Sequence, residues 1–252
     1  MTQRSQAIPS AVAIVQARMG SSRLPGKTME PLGDWRVVDW VVHRVAAADA
    51  VRDVIVATTD LPGDDVLVEH LGAQGVEVAR GSSDDVLARF VGALVSTDAA
   101  LVVRVTADCP FLDPGVIDLG AATIVDAHAD YVATGLDGRY PRGLDVEVFR
   151  REALLRAHRE TSDPEEREHV TPYIYRHPEV FRCAPIGAPG WAARPDLRFT
   201  LDEPADLALL RAVVRDLGSD RLLATRNIVS YLDAHPDVVA MNAGVEHRNI
   251  TF

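Results

Sequence analysis

Lysine is nearly absent from this chain. Of its 26 basic residues, one, Lys27, is lysine and every other is arginine. Cysteine is scarce too. Cys109 and Cys183 are the only two, which supplies neither a disulfide framework nor metal-ligand spacing, and both read as packing residues. An excess of positive charge is missing. The formal net charge of −11 excludes a general nucleic-acid surface, so a polyanionic ligand must be held by local cations. No apolar run approaches membrane-spanning length, and the opening "MTQRSQAIPS" has no apolar core of a leader peptide. No membrane association and a cytoplasmic location are therefore expected.

Hydrophobic residues make up 47% of the 252, and charged ones 25%, which suits a globular protein with a substantial core. Strand and helix patterns alternate through the first half. Strands are expected at 11–17, 53–59, 76–80 and 100–108, with helices at 35–48, 64–75, 83–97 and 113–128. Ser83 is the expected cap of the third helix, and Pro114 fits the first turn of the fourth. This rhythm predicts an α/β fold with a mostly parallel central sheet and helices on both faces. The second half is less regular. Strands are expected at 129–135, 143–149 and 196–202, and helices at 150–161, at 164–178 with a break at Pro172, and at 203–218. One more short helix is expected after Asn227. The chain reads as a single domain, 1–252, with an inserted subregion near 135–190.

The sole lysine lies in "GSSRLPGKT", residues 20–28. A Walker A loop would need glycine at position 21, where Ser21 stands, and a helix starting at its G-K-T. Pro31 and Gly33 prevent that helix. About seventeen residues separate the first strand from the first helix, against the usual two to six of such a connection. In doubly wound sheets, ligands bind at the carboxyl ends of strands, where this long loop sits. It carries Arg18, Arg23 and Lys27, a concentration of positive charge in an acidic protein. A compact ammonium fits between phosphate oxygens in a tight turn better than a planar guanidinium fork does. The bland alternative, a glycine turn with solvated cations, leaves the loop's length and its lysine unexplained.

"IVQARMGSSRLPGKTM" (14–29) resembles the opening motif of the cytidylyltransferases that activate sugar acids. These include the CMP-Kdo and CMP-sialic acid synthetases and, most similar, the spore coat polysaccharide SpsF-like branch. The resemblance continues in order through "VIVATTDLPGDDVL", "RGSSDDVLARF", "VRVTADCPFLDP", "GLDVEVF", "EREHVTPYI" and "FTLDEPADLALL", over roughly 12–217. It implies a nucleotide-diphospho-sugar transferase fold, Rossmann-like and usually homodimeric. It implies that CTP is bound by the first loop, through Ala17, Arg18, Met19, Gly20, Ser21 and Lys27, with Lys27 and Arg18 acting in catalysis. Asp108, in "TADCP", and Asp202, in "TLDEPADL", would hold Mg²⁺, with Asp108 also at the nucleotide. Hard Mg²⁺ takes oxygen ligands, and nucleotidyl transfer needs charge neutralised on the triphosphate. The competing role for either aspartate is capping the helix that follows.

The acceptor side is less defined. Asp145 and Glu147 share one strand face, Arg104 lies close enough to Asp108 to meet an anion, and His169 could orient a hydroxyl or act as a base. Each could equally be structural. The resemblance implies transfer of CMP to an acidic acceptor, most often a nonulosonate-type sugar acid for surface polysaccharide, alternatively a phosphonate or another acid. A glycosyltransferase of related fold would use a D-x-D motif, which "TTD" and "TAD" do not supply. A nucleotide-binding regulator without turnover is the third class.

Overall fold

The computed structural model of the protein describes residues 9–246. Its first strand, β1 (Ala11–Gln16), is covered on both faces: Ala11, Ala13 and Val15 enter one apolar cluster, Val12 and Ile14 the other. Double coverage is why the run is continuously apolar rather than alternating. A long loop leads to a short antiparallel hairpin, β2 (Pro31–Leu32) and β3 (Trp35–Arg36), and then to helix α1 (Val37–Ala46). Alternation follows, with β4 (Val51–Thr59), α2 (Asp65–Ala73), β5 (Glu77–Gly81) and α3 (Val86–Ala93). β6 (Leu101–Thr106) and α4 (Pro114–Asp126) complete the first half. Strands β5, β4, β1 and β6 lie side by side and parallel.

The second half extends the same sheet. β7 (Tyr131–Ala133) and β8 (Glu147–Arg150) are followed by α5 (Arg151–Glu160), α6 (Pro164–His169), α7 (Pro172–Arg176) and the edge strand β9 (Cys183–Pro185). Three helices end the described chain: α8 (Pro204–Leu217), α9 (Thr225–Ala234) and α10 (Pro236–Val239). The sheet has seven strands in the order β5-β4-β1-β6-β8-β7-β9, and β8 alone runs against its neighbours. Helices α1, α4, α8 and α9 pack on one face, α3 and α5 on the other. Among the described residues no helix is long and apolar enough to cross a membrane.

Several local expectations are corrected. Residues 196–202 form no strand beyond a single bridge between Arg142 and Arg198. Leu197, Phe199 and Leu201 are nevertheless buried, as are Arg198 and Thr200 between them, so the segment is a buried connection rather than a strand. Asp85, not Ser83, caps α3, accepting from the Ala88 amide at 2.9 Å. The 143–149 strand starts only at Glu147, because Gly143 turns the chain at φ 110°. A Cβ there would lie 2.8 Å from the Phe199 backbone. The break near Pro172 falls on Val170, whose φ of 75° ends α6.

One buried arginine fixes the scaffold. Arg44 is 1% exposed and pairs with no carboxylate among the described residues. It donates to the carbonyls of Leu112, Arg221 (2.7 Å) and Leu223 (2.9 Å) and to the Thr225 hydroxyl (2.6 Å), tying α1 to the start of α9. Burial pushes its guanidinium down to about 10.

Candidate active site

The loop after β1 folds on itself before it meets any other motif. Met19 O accepts from the amides of Ser21 (3.0 Å) and Gly26 (2.9 Å), and Gly26 takes φ 75°, a conformation glycine adopts without penalty. A three-residue 3₁₀ turn follows at Lys27–Met29, closed by Met29 N donating to Gly26 O at 2.8 Å. The lysine's backbone is thereby held, and its side chain extends from a fixed point. The other anchor is Asp64. Its carboxylate accepts from Met19 N at 2.7 Å, from Thr59 N at 3.0 Å, and from the hydroxyls of Thr58 (2.8 Å) and Thr59 (2.5 Å). Burial alone would raise the Asp64 pKa, and these hydrogen bonds bring it below the ordinary value.

Lys27 lies where three chain segments meet. Its ammonium donates to Asp108 Oδ2 at 2.6 Å, to the Leu201 carbonyl at 2.7 Å and to Asp202 Oδ1 at 2.9 Å. The segments carrying the two aspartates are tied together, since Leu201 N donates to Asp108 O at 2.7 Å. Thr106 fixes the other Asp108 oxygen from 2.5 Å. Asp202 is gripped further by Arg23 (3.0 Å) and Arg198 (2.9 Å). Behind it, fully buried Asp206 pairs with Arg198 at 2.8 Å and accepts from the amides of Asp202 (2.9 Å) and Glu203 (3.0 Å). Neither predicted metal aspartate caps a helix, because Asp113 caps α4 and Glu203 caps α8.

The electrostatics follow from this packing. Burial would lower the Lys27 pKa, but Asp108 and Asp202 more than reverse that, so the ammonium is firmly protonated. Burial would likewise raise Asp202, yet Lys27, Arg198 and Arg23 bring it down to about 2. The side-chain oxygens of Asp108 and Asp202 and the Leu201 carbonyl converge on one point, where the ammonium sits. That hard-oxygen donor set fits Mg²⁺ completed by phosphate and water. Among the described residues no group of three or more His, Cys, Asp and Glu is gathered for a metal, so protein ligation would rest on this pair.

Two clefts share this wall. One is lined by Gln16, Ala17, Arg18, Gly20, Ser21, Ser22, Lys27 and Thr28. The second is lined by Arg104, Thr134, Gly135, Arg142, Asp145, Glu147, Arg198 and Thr200. Arg23, Thr106, Asp108 and Asp202 line both. In the second cleft Glu147 pairs with Arg104 and also accepts from Tyr131 OH (3.0 Å) and Thr171 Oγ1 (2.6 Å). Arg104 reaches Gln16 Oε1 at 3.0 Å. Half-buried Asp145 accepts from Gly143 N at 3.0 Å and from Arg142 at 3.3 Å. Burial raises its pKa above the ordinary range despite Arg142. Buried Cys109 is pushed far up by burial and by Asp108 and Asp145, and so is an unreactive thiol.

Most residues expected at the site thus converge: Ala17, Arg18, Gly20, Ser21, Lys27, Asp108 and Asp202 around the first cleft, and Arg104, Asp145 and Glu147 in the second. Met19 contributes through its backbone and lines neither. His169 is exposed at the end of α6 and also lines neither, whereas Thr171, two residues on, reaches Glu147. Sequence reasoning missed Asp64, Arg198 and Asp206. Asp206 had a signal, since its spacing from Glu203 is that of a capping box, which the structure forms. Asp64 lies within "VIVATTDLPGDDVL", but nothing there signals its bond to Met19, 45 residues away, and Arg198 looks like any other arginine of the chain.

Comparison with known proteins places this geometry. A family model described as cytidylyltransferase matches residues 12–227. The spore coat polysaccharide biosynthesis protein SpsF of Bacillus subtilis is 36% identical over 89% of this chain and 94% of its own length. A 3-deoxy-manno-octulosonate cytidylyltransferase of Geobacter metallireducens is 33% identical over 45% of this chain and 44% of its own. Among solved structures, a cytidylyltransferase from Leptospira borgpetersenii superposes with a TM-score of 0.86 at 26% identity, covering 95% of this chain and all of that one. A CMP:2-keto-3-deoxy-manno-octonic acid synthetase solved with CTP shares the fold, at a TM-score of 0.61 and 20% identity. With a family model spanning most of its length and a relative 36% identical over most of both chains, the chain belongs to the cytidylyltransferase family of nucleotidyltransferase enzymes.

Proposed function

We propose that the protein transfers CMP from CTP to an acidic small-molecule acceptor, a sugar acid of the nonulosonate type, and releases pyrophosphate. The observation that carries this is the pair Asp108 and Asp202, which lines both the loop cleft and the second cleft, with Lys27 bound to both carboxylates from the loop-cleft side. CTP occupies the loop cleft, with its base near the Ala17 backbone and its phosphates facing Arg18, Gly20, Ser21 and Lys27. The acceptor occupies the second cleft, where Arg142 is a partly exposed cation for its acidic group and Asp145 faces its hydroxyls. An acceptor oxygen forms a bond to the α-phosphorus as the bond to the β-phosphate oxygen breaks. Asp145, whose burial raises its basicity, takes the hydroxyl proton. Lys27 and Arg18 neutralise charge accumulating on the departing pyrophosphate. Mg²⁺, held by Asp108 and Asp202, supplies further neutralisation of the triphosphate when bound.

The likeness to SpsF supports a place in surface polysaccharide precursor synthesis, and the family resemblance supports a cytoplasmic homodimer. The test is a thermal-shift panel with CTP, UTP, ATP and GTP, with and without Mg²⁺, since a ligand of the folded state raises the melting temperature. A shift selective for CTP, strengthened by Mg²⁺, is expected. Selectivity for another nucleotide would overturn the cytidylyl assignment. Pyrophosphate release with candidate sugar acids then identifies the acceptor.

A further inference from the structure

The contacts of Lys27 point to a second role for it, one that rests on the assignment of Asp108 and Asp202 as metal ligands. We propose that the Lys27 ammonium is a tethered counter-ion, which occupies the cation position between Asp108 and Asp202 until the triphosphate draws it away. Metal and nucleotide would then enter together, and the protein without nucleotide would not take up a divalent cation at this point.

Three observations combine. First, the ammonium uses all its hydrogens on the oxygens a metal would need: Asp108 Oδ2, Asp202 Oδ1 and the Leu201 carbonyl, at 2.6–2.9 Å. A divalent ion cannot share that point with it. Second, the surrounding charge is matched to an exchange. Asp108, Asp202, Glu203 and Asp206 face Lys27, Arg23 and Arg198. Withdrawing the ammonium leaves two negative charges uncompensated, the complement of a divalent cation. Third, the exchange needs only side-chain rotation, because the 3₁₀ turn and Gly26 hold the backbone at Lys27. The loop cleft, where the phosphates are placed, is lined by Lys27 itself.

The same exchange explains why a chain that otherwise uses only arginine keeps one lysine here. An ammonium is a compact point charge that mimics a metal ion among oxygens and lets go by rotating. A guanidinium would bind the two carboxylates through its planar fork and stay.

The experiment measures Mn²⁺ binding to the full chain without nucleotide, by the loss of the free-ion electron paramagnetic resonance signal. Wild type is expected to bind none at concentrations where Lys27→Met binds one per chain, a difference of about tenfold or more in affinity. Adding Asp202→Asn to Lys27→Met should abolish that binding. Lys27→Arg should be silent like wild type, and its stabilisation by CTP should no longer grow with Mg²⁺. Near-ultraviolet circular dichroism confirms that each variant is folded. Wild type binding Mn²⁺ as tightly as Lys27→Met, a silent Lys27→Met, or persistent binding in the double variant would each overturn the proposal. Failure of the cytidylyl assignment would look different: CTP would leave the wild-type melting temperature unchanged whatever the Mn²⁺ pattern.

Discussion

Replacing Asp64 with alanine should loosen the nucleotide loop without touching a residue of either cleft. Asp64 is 3% exposed and gathers four donors, two of them the backbone amides of Met19 and Thr59. The threonine hydroxyls can rotate toward other acceptors, but the amides cannot, and leaving each unpaired costs about 1–3 kcal/mol. Asp64→Ala should therefore lose about 2–6 kcal/mol of stability, read as a lower midpoint in urea at unchanged slope. Because Met19 carries the turn that ends at Lys27, the KM for CTP should also rise, by about tenfold. Asp64→Asn should fall between, since its Oδ1 can still serve Met19 while its amide meets the Thr59 N–H as donor against donor. The pH dependence has a defined sign. The folded pKa is depressed below 3.8, so this contribution is fully present above that value and is lost as pH falls through the folded pKa. Asp64→Ala within about 0.5 kcal/mol of wild type, with an unchanged KM for CTP, would refute the reasoning.

Arg44→Met keeps the bulk of the side chain but strands the buried Leu112 carbonyl and removes the partner of the partly buried Arg221 and Leu223 carbonyls, and should cost about 3 kcal/mol in urea unfolding while leaving KM unchanged if the protein is assayed cold. Gly143→Ala forces a side chain into the Phe199 backbone at a positive φ. It should destabilise by about 2 kcal/mol or more and weaken acceptor binding before CTP binding, because Asp145 is held by the Gly143 amide. Lys27→Ala should cut pyrophosphate release far more than it lowers the melting temperature, and an unchanged rate would remove Lys27 from the mechanism. The acid limb of kcat/KM should lie above the ordinary aspartate value of 3.8, since Asp145 is raised and must be ionised to accept a proton. Asp145→Asn should flatten that limb.

The first half of the fold was legible because the central strands β1 and β6 are covered on both faces and read as continuous apolar runs, whereas the helices carry one apolar stripe. The second half was not, for particular reasons. Residues 197–201 are all buried, the apolar and the polar alike, but their amides and carbonyls pair with Arg142 and Asp108 rather than along a ladder. Periodicity reports which side chains are covered and is silent on hydrogen-bond partners. Strand β9 is three residues long, too short for any pattern. At the site, the loop's length, its charge and its lone lysine were all readable, whereas the residues that immobilise them were not. Asp64 is 45 residues from the amide it holds, and Arg198 resembles every other arginine in an arginine-rich chain.

The wall common to the two clefts would tie the proposed nucleotide and acceptor specificities to each other. Arg23, Thr106, Asp108 and Asp202 line both clefts, so, with nucleotide and acceptor placed as proposed, a ligand in one cleft would alter the field and side-chain positions met by a ligand in the other. Thermodynamic reciprocity then requires that the factor by which nucleotide changes acceptor affinity equal the factor by which acceptor changes nucleotide affinity. Substitutions among these four residues shift both preferences at once. Substitutions at Ser21 or Arg142, each confined to one side, shift one alone. A lineage changing its acceptor while keeping its nucleotide would vary on the Arg142 side and leave the dividing wall fixed.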